Sequence, residues 1–479
     1  MLVLVNANRM SPPIAPIGLD YVASAARARG IPVEIVDLAL AADPDGALER
    51  AFARGAPRLV GVSFRNVDDS FWPSAAWFVP ELDRLIARLR ALTAAPIVLG
   101  GVGLSIFADR LVARTGADFA VRGDGEGALA ALYAALDAGP AALAAVPGLI
   151  HRAAGGALVQ NPPAWPSPLV VPADRDAIDN RAYFARGGQL GVETKRGCPR
   201  RCIYCADPLA KGPHVRARDP REVAEEVAGL AARGLDVLHL CDGEFNVPGA
   251  HAAAVCAALA ARGLGERVRW YAYAAVRPFD DTLALAMRRA GCVGVDFTGD
   301  AGSDAMLAAY RHPHRRAHLE AAVAACRRAG LTCMVDLLLG GPGETPATVR
   351  ETIDALRGAA PDCVGVALGM RLYPGTRALE LARAEGPLEA NPSIRRRGQG
   401  PVDLLEPVYY LARALGPTPA ALVREQVGDD PRFFVPAEEA GRAGDDHNYN
   451  DHAPLLAAIA RGERGAYWDI LRRLGPARG

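Results

Sequence analysis

Arg196-Gly197-Cys198-Pro199-Arg200-Arg201-Cys202-Ile203-Tyr204-Cys205 is the stretch that decides how this chain is read. Three cysteines stand on one short loop, separated by three residues and then by two. Thiolates so spaced can each hold one iron of a cubane 4Fe-4S cluster, which leaves the fourth iron without a protein ligand. An open iron can chelate an exogenous ligand, and that turns an electron carrier into a catalyst. Gly197 lets the loop leave a preceding strand sharply, and Pro199 stiffens it. Structural zinc is the competing reading. It wants a fourth ligand at close spacing, for which His214 is the nearest candidate.

Outward from the loop, residues 186–385 alternate short apolar runs with helical patterns. The expected strands are Gly191–Lys195, Val237–Cys241, Arg269–Ala274, Gly294–Phe297, Thr332–Leu338 and Gly365–Leu372, with helices such as Pro220–Ala232 and Ala317–Ala329 between them. About six such units predict a partial (β/α)6 barrel. Turn-like strings follow several of these strands. They are Cys241-Asp242-Gly243-Glu244-Phe245, Thr298-Gly299-Asp300-Ala301, Gly340-Gly341-Pro342-Gly343-Glu344-Thr345 and Tyr373-Pro374-Gly375-Thr376. Glycine in the last two serves backbone geometry and helix capping.

The cysteine loop and these turns together resemble the radical SAM superfamily over roughly residues 190–380. The resemblance implies that the open iron binds the amino and carboxylate groups of S-adenosyl-L-methionine (SAM). An external one-electron reductant, flavodoxin- or ferredoxin-like, would then drive cleavage to a 5′-deoxyadenosyl radical that takes a substrate hydrogen. Carried onto this chain, Cys198, Cys202 and Cys205 are the metal ligands, and Tyr204 contacts the adenine. Asp242, Gly243 and Glu244 correspond to the family's glycine–glutamate element, with Asp242 where glycine is common and Glu244 meeting the SAM amino group. Asp300 stands where many relatives place an acid near the ribose, although a helix N-cap explains an acid there nearly as well.

Residues 1–150 carry their own alternation. Strands are expected at Leu2–Asn6, Val33–Asp37, Leu59–Phe64, Ile97–Gly100 and Phe119–Arg122, with helical patterns between them. Such spacing means a doubly wound parallel sheet, Rossmann-like in class. A dinucleotide site would need Gly-x-Gly-x-x-Gly after the first strand, and Asn6-Ala7-Asn8-Arg9-Met10-Ser11 has no glycine. A doubly wound domain directly before this barrel resembles the cobalamin-binding subgroup of the superfamily. The strings that carry the likeness are Pro12–Leu19, Leu99-Gly100-Gly101-Val102-Gly103-Leu104-Ser105 and Val121-Arg122-Gly123-Asp124-Gly125-Glu126. Gly100, Gly101, Ser105, Gly123 and Glu126 would then border a corrin ring, glycine letting it approach the backbone. Arg65 and Asn66, in the loop after the third strand, would face its lower side, although a solvated surface loop reads equally from the residues alone. No histidine occurs in residues 1–150, so cobalamin would bind without a histidine on cobalt.

Between the blocks, Asn161-Pro162-Pro163-Ala164-Trp165-Pro166-Ser167-Pro168 marks 151–185 as a linker. Residues 386–479 lose the alternation and are expected to form a mainly helical cap. There, Asp445-Asp446-His447-Asn448-Tyr449-Asn450-Asp451-His452 and Tyr467-Trp468 either line a substrate pocket or form a capped loop and a packed helix. Tyr409 and Tyr410 read as core.

Bulk properties narrow the partners. The 479 residues carry formal net charge +0, with only Lys195 and Lys211 as lysines, which argues against a nucleic-acid partner. No run of about eighteen uncharged apolar residues suggests a membrane span, and Leu2–Asn6 is too short and lacks the basic flank of a signal peptide. Of nine cysteines, the six outside the loop are scattered in apolar stretches, which fits a reducing cytoplasm rather than a disulfide framework.

The expected architecture is therefore α/β, a cobalamin-binding domain (1–150), linker (151–185), radical SAM partial barrel (186–385) and helical cap (386–479). The resemblance implies a cobalamin-dependent C-methyltransferase. One SAM methylates cob(I)alamin, a second yields the radical, and a methyl passes from methylcobalamin to an unactivated carbon of a small-molecule substrate. The alternatives are a cyclase or oxidoreductase with the same domains, and a non-catalytic cluster or corrinoid store. A methylthiotransferase is disfavoured because residues 1–150 hold no cysteine for a second cluster.

Overall fold

The computed structural model describes residues 1–153, 155–172, 174–437 and 448–475. In the first block, strands β1 (Leu2–Asn6), β2 (Val33–Asp37), β3 (Leu59–Ser63), β4 (Ile97–Gly100) and β5 (Phe119–Val121) form a parallel sheet. Helices cover both faces, so β1 reads as an unbroken apolar run and is buried along its whole length. The order is β2-β1-β3-β4-β5-β6-β7. Its direction reverses between β1 and β3, which opens a crevice at the carboxyl edge. The domain is longer than expected. The hairpin β6 (Leu149–Arg152) and β7 (Leu158–Gln160) adds antiparallel to β5, moving the boundary from 150 to about Gln160.

The second block holds β8 (Leu190–Val192), the antiparallel ribbon of β9 (Lys195–Arg196) and β10 (Arg216–Ala217), then β11 (Val237–Leu240), β12 (Arg269–Ala274), β13 (Cys292–Asp300), β14 (Thr332–Leu339) and β15 (Cys363–Leu368). The barrel strands run parallel in the order β15-β14-β13-β12-β11-β8. Period-two alternation sorts their side chains. Leu238, Leu240, Trp270, Val335, Leu337 and Leu339 pack outward into the large core beneath the helices. Val237, Tyr271, Met334 and Cys363 point into the lumen and meet Trp468.

Beyond 386 the chain is less helical than expected. β16 (Met370–Arg371), β17 (Ile394–Arg396) and β18 (Val408–Tyr410) build a small antiparallel sheet, with Tyr409 and Tyr410 buried as expected. β19 (Phe433–Phe434) adds a seventh parallel strand beside β15. Two residues are too few to show a period, which is why this strand was not legible. The helix Tyr467–Leu474 drives Trp468 edge-on against Tyr271, 5.9 Å between ring centroids, and closes the bottom of the lumen. Asp445, Asp446 and His447 lie outside the described residues. The rest of that string ties the cap to the first domain. Asn448 donates to Asp69 (3.2 Å) and Ser74 (3.0 Å), and Asp451 N donates to the Ser11 carbonyl.

Residues 161–185 are not a solvated tether. Arg175, fully buried, joins Asp20 of the first domain (2.7 Å) to Glu226 of the barrel (2.7 Å), and Arg218 completes the cluster on Glu226 at 2.6 Å. Buried charges of this kind hold only as a complete set, so the two domains meet in one fixed orientation. All nine cysteines are free thiols. Among the described residues no helix is long and apolar enough to cross a membrane.

Candidate active site

The cysteine loop hangs between the β9–β10 ribbon and the top of the barrel. Gly197 has φ +86°, and a Cβ there would stand 2.0 Å from the His214 carbonyl oxygen, so only glycine fits. Cys198 N donates to Gly212 O (3.1 Å), Cys205 N to Cys202 O (3.2 Å), and Ile203 plugs the barrel core. The three thiols are half-buried. Burial pushes Cys202 up to about 12 and raises Cys198 and Cys205 as well. Such thiols need a metal's charge to ionise. Among the described residues, no three His, Cys, Asp or Glu side chains converge tightly enough for a single ion. A 4Fe-4S cluster takes one thiolate per iron, so three cysteines hold three of its irons.

Beside the loop stands Glu244. Its Oε1 accepts from Thr298 Oγ1 at 2.7 Å, while Oε2 is buried with no partner. Burial raises this carboxyl to about 7, with Arg200 pulling the other way. A buried acceptor left open implies a missing donor, and the amino group expected of SAM is such a donor. Asp300 ends β13 in the left-handed region, φ +57°, and accepts from both Tyr204 Oη and His312 Nε2. Tyr204 packs edge-on to Tyr310, ring centroids 6.4 Å apart. The four expected SAM contacts Tyr204, Gly243, Glu244 and Asp300 thus gather around the cysteines.

Asp242 departs from expectation. Its carboxylate is enclosed, taking Lys195 Nζ at 2.7 Å and Thr194 N at 2.8 Å. Burial alone would raise it, but Lys195 and Thr194 outweigh burial and hold it below the usual carboxylate range. Its side chain therefore braces the cysteine strand, while the residue also lines the cavity between the two domains.

A cavity of about 700 Å³ lies between the first domain's crevice and the barrel mouth. Gly100, Gly101, Ser105, Gly123 and Glu126 line it from below, Cys241, Gly243 and Tyr273 from above, and Tyr449 and Tyr467 from the cap. Gly100 opens onto free space. Gly101 and Gly123 are glycine for other reasons. A Cβ on Gly101 (φ +109°) would lie 2.5 Å from Phe64 O, and one on Gly123 (φ +91°) 3.0 Å from Trp165. Ser105 Oγ staples these loops, donating to Gly101 O and accepting from Gly123 N at 3.1 Å. Glu126 is bound to Arg196 at 2.7 Å, so its carboxylate is a wall of the cavity, not a free ligand. Arg65 faces the cavity and makes no side-chain ion pair among the described residues. Asn66 does not reach the cavity; a Cβ on Gly103 would press its backbone at 3.1 Å. The glycine floor and the Arg65 guanidinium fit a broad planar ring, and no histidine faces it from residues 1–150, while His239 lines the cavity from the barrel side.

Several contributors were not singled out from sequence. His312 and His314 flank the Asp300 network, and burial lowers His314 to about 4. The pair His312-Pro313-His314 in a chain with nine histidines was the available signal. Thr298 and Lys195 position the site through partners distant in sequence, and Arg196 joins nearby Glu193 to distant Glu126.

The fold and site define a radical SAM enzyme built onto a corrinoid-type domain, and comparisons with known proteins agree. Residues 192–356 match the radical SAM superfamily model and residues 4–133 the B12 binding domain model. The tryptophan 2-C-methyltransferase of Streptomyces laurentii is 28% identical over 97% of this chain and 94% of its own. The radical S-adenosylmethionine methyltransferase TsrM from Kitasatospora setae, solved with tryptophan and a SAM analogue, superposes with TM-score 0.90 at 31% identity, covering 98% of this chain and 97% of that one. The same enzyme with cobalamin and a [4Fe-4S] cluster bound gives 0.88 at 30%, over 98% and 97%. This chain belongs to the radical SAM superfamily, as a cobalamin-dependent radical SAM methyltransferase. The resemblance to the cobalamin-dependent radical SAM family and the expected α/β fold class are thereby borne out.

Proposed function

We propose that this enzyme methylates C2 of the indole ring of tryptophan or a close indole analogue. The observation that carries the reading is full-length agreement with an enzyme solved with tryptophan bound, joined to a site whose open positions match the required cofactors. When bound, the cluster chelates SAM and cobalamin carries the methyl group. Cys198, Cys202 and Cys205 would hold the cluster, and Glu244 Oε2 would accept from the SAM amino group. Asp300 holds Tyr204 and His312 in place beside it. Arg65 and Gly100 would face cobalamin across the crevice floor. The buried Arg175 and Arg196 clusters fix the distance between the two cofactor seats. Trp468 closes the lumen below and excludes water. Free cysteines throughout suit a reducing cytoplasm, where a flavodoxin- or ferredoxin-like reductant would serve.

Anaerobically reconstituted enzyme given tryptophan and SAM should yield 2-methyltryptophan, identified by mass and by loss of the C2 proton in NMR. Formation of S-adenosylhomocysteine with no methylated indole would count against the substrate.

A further inference from the structure

The cysteine loop reaches the surface on a side separate from the large cavity. Pro199 and Arg201 are exposed, the three cysteines are half-buried beside them, and no residue from Cys198 to Cys205 lines the cavity. Two hydrogen bonds fix what borders the loop there. Arg200 Nη2 donates to the Arg277 carbonyl (2.6 Å), and Ile203 N donates to the Tyr310 carbonyl (3.3 Å), which brings Arg277 and Arg311 to the loop's edges. Arg201, Arg277 and Arg311 are exposed and make no ion pair among the described residues. Arg315, its side chain 75% exposed, adds a fourth guanidinium with only Asp304 near it, at 3.8 Å. The carboxylates on the same segments are engaged elsewhere. Asp280 accepts from Leu283 N (2.9 Å), Asp281 pairs with Arg328 (2.7 Å), and Asp207 pairs with Lys211 (3.1 Å). Asp304 accepts from Arg316 N (2.8 Å), and Asp300 is buried. On a chain of formal net charge +0, this is a local excess of positive charge around the loop that holds the metal ligands.

We infer that this face is the docking surface for an acidic one-electron carrier of the flavodoxin- or ferredoxin-like class, and that electrons enter the cluster from here without crossing the cavity. Opposed charges speed the encounter and set the register of the two proteins. In the complex, one electron passes from the reduced carrier to the cluster. The carrier is oxidised by one electron, the cluster is reduced by one, and no bond forms or breaks. The inference rests on the cluster reading of the three cysteines and is independent of which ring the enzyme methylates. A nucleic acid also seeks guanidiniums, but it needs a basic stripe along which phosphates can run. Four guanidiniums gathered around a metal seat on a neutral chain favour a redox partner instead.

Reduction kinetics test the face. The cluster- and cobalamin-loaded enzyme is mixed with reduced flavodoxin of strongly negative net charge at several salt concentrations, and freeze-quench electron paramagnetic resonance follows the reduced cluster. The parent's rate constant should fall as salt rises, because exposed charges are screened over about 8 Å at 0.15 M. The variant Arg277→Glu/Arg311→Glu, changed only outside the ligand loop, should react about tenfold or more slowly at low salt and lose most of the salt dependence. Its bound iron, and the extent to which dithionite reduces its cluster, should match the parent. Arg277→Lys/Arg311→Lys keeps the charge and should keep the parent's rate. Should the charge-reversed variant not fold, Arg201→Gln carries the test, with a smaller loss in the same direction. A parent rate independent of salt, or a charge-reversed variant as fast as the parent, would overturn the docking surface. So would transfer RNA that binds this face and excludes the flavodoxin. A parent whose bound iron gives no reduced-cluster signal even with dithionite would overturn the cluster reading itself, and the docking surface with it.

Discussion

Replacing Glu244 by Gln separates what this residue does for the fold from what it does for SAM. Burial raises its carboxyl from 4.5 to about 7, so the folded chain holds the proton longer than the unfolded one. Stability therefore falls as pH rises through that window. At roughly 1.4 kcal/mol per pH unit, the ionised Glu244 costs about 3 kcal/mol at pH 8 and about 1 kcal/mol at pH 5. The amide removes this cost and still accepts from Thr298, 2.7 Å away in the parent. Cluster-free Glu244→Gln should therefore be more stable than the parent in urea unfolding by about 3 kcal/mol at pH 8, with the gap closing toward pH 5. The reconstituted variant should bind SAM about tenfold or more weaker, from the loss of a charged acceptor. A variant no more stable than the parent at pH 8, or equally stabilised at both pH values, would refute the reasoning.

Other outcomes follow from the same geometry. Cys202→Ala should abolish SAM cleavage and lower bound iron and sulfide, read by metal and sulfide analysis. Gly197→Ala places a Cβ 2.0 Å from the His214 carbonyl at φ +86°; the strain, about 1–3 kcal/mol before the clash, should displace the loop and cut cluster loading in the same assays. Arg175→Met strands Asp20 and Glu226 in the interior and should cost about 3–5 kcal/mol, seen as a lower melting temperature.

How much was legible from sequence depended on whether a residue's role is local. The cysteine loop needs only spacing, so its ligands, Gly197 and the neighbouring Glu244 could be placed without coordinates. Strand positions in both blocks followed from apolar runs long enough to show a pattern, whereas Phe433–Phe434 is too short to show any. How far the Asp242 and Glu126 carboxylates are free could not be read from sequence, because a carboxylate's availability depends on its partners, here Lys195 and Arg196. Glycine at 101 reads as room for a ring but answers to the Phe64 carbonyl. Asp296 and Asp336 look like single polar interruptions of apolar strands, and only the strand register sets them diagonally on one face of the barrel.

The central claim is that the two cofactor seats cooperate in one methyl transfer, and a labelling experiment tests it most directly. Enzyme loaded with cobalamin carrying a carbon-13 methyl group on cobalt is given tryptophan and unlabelled SAM for a single turnover, and the indole product is analysed by mass spectrometry. The account predicts carbon-13 in the product's new methyl group in the first turnover, and none from the Cys202→Ala variant. An unlabelled methyl group, or label transfer that survives loss of the cluster, would contradict it.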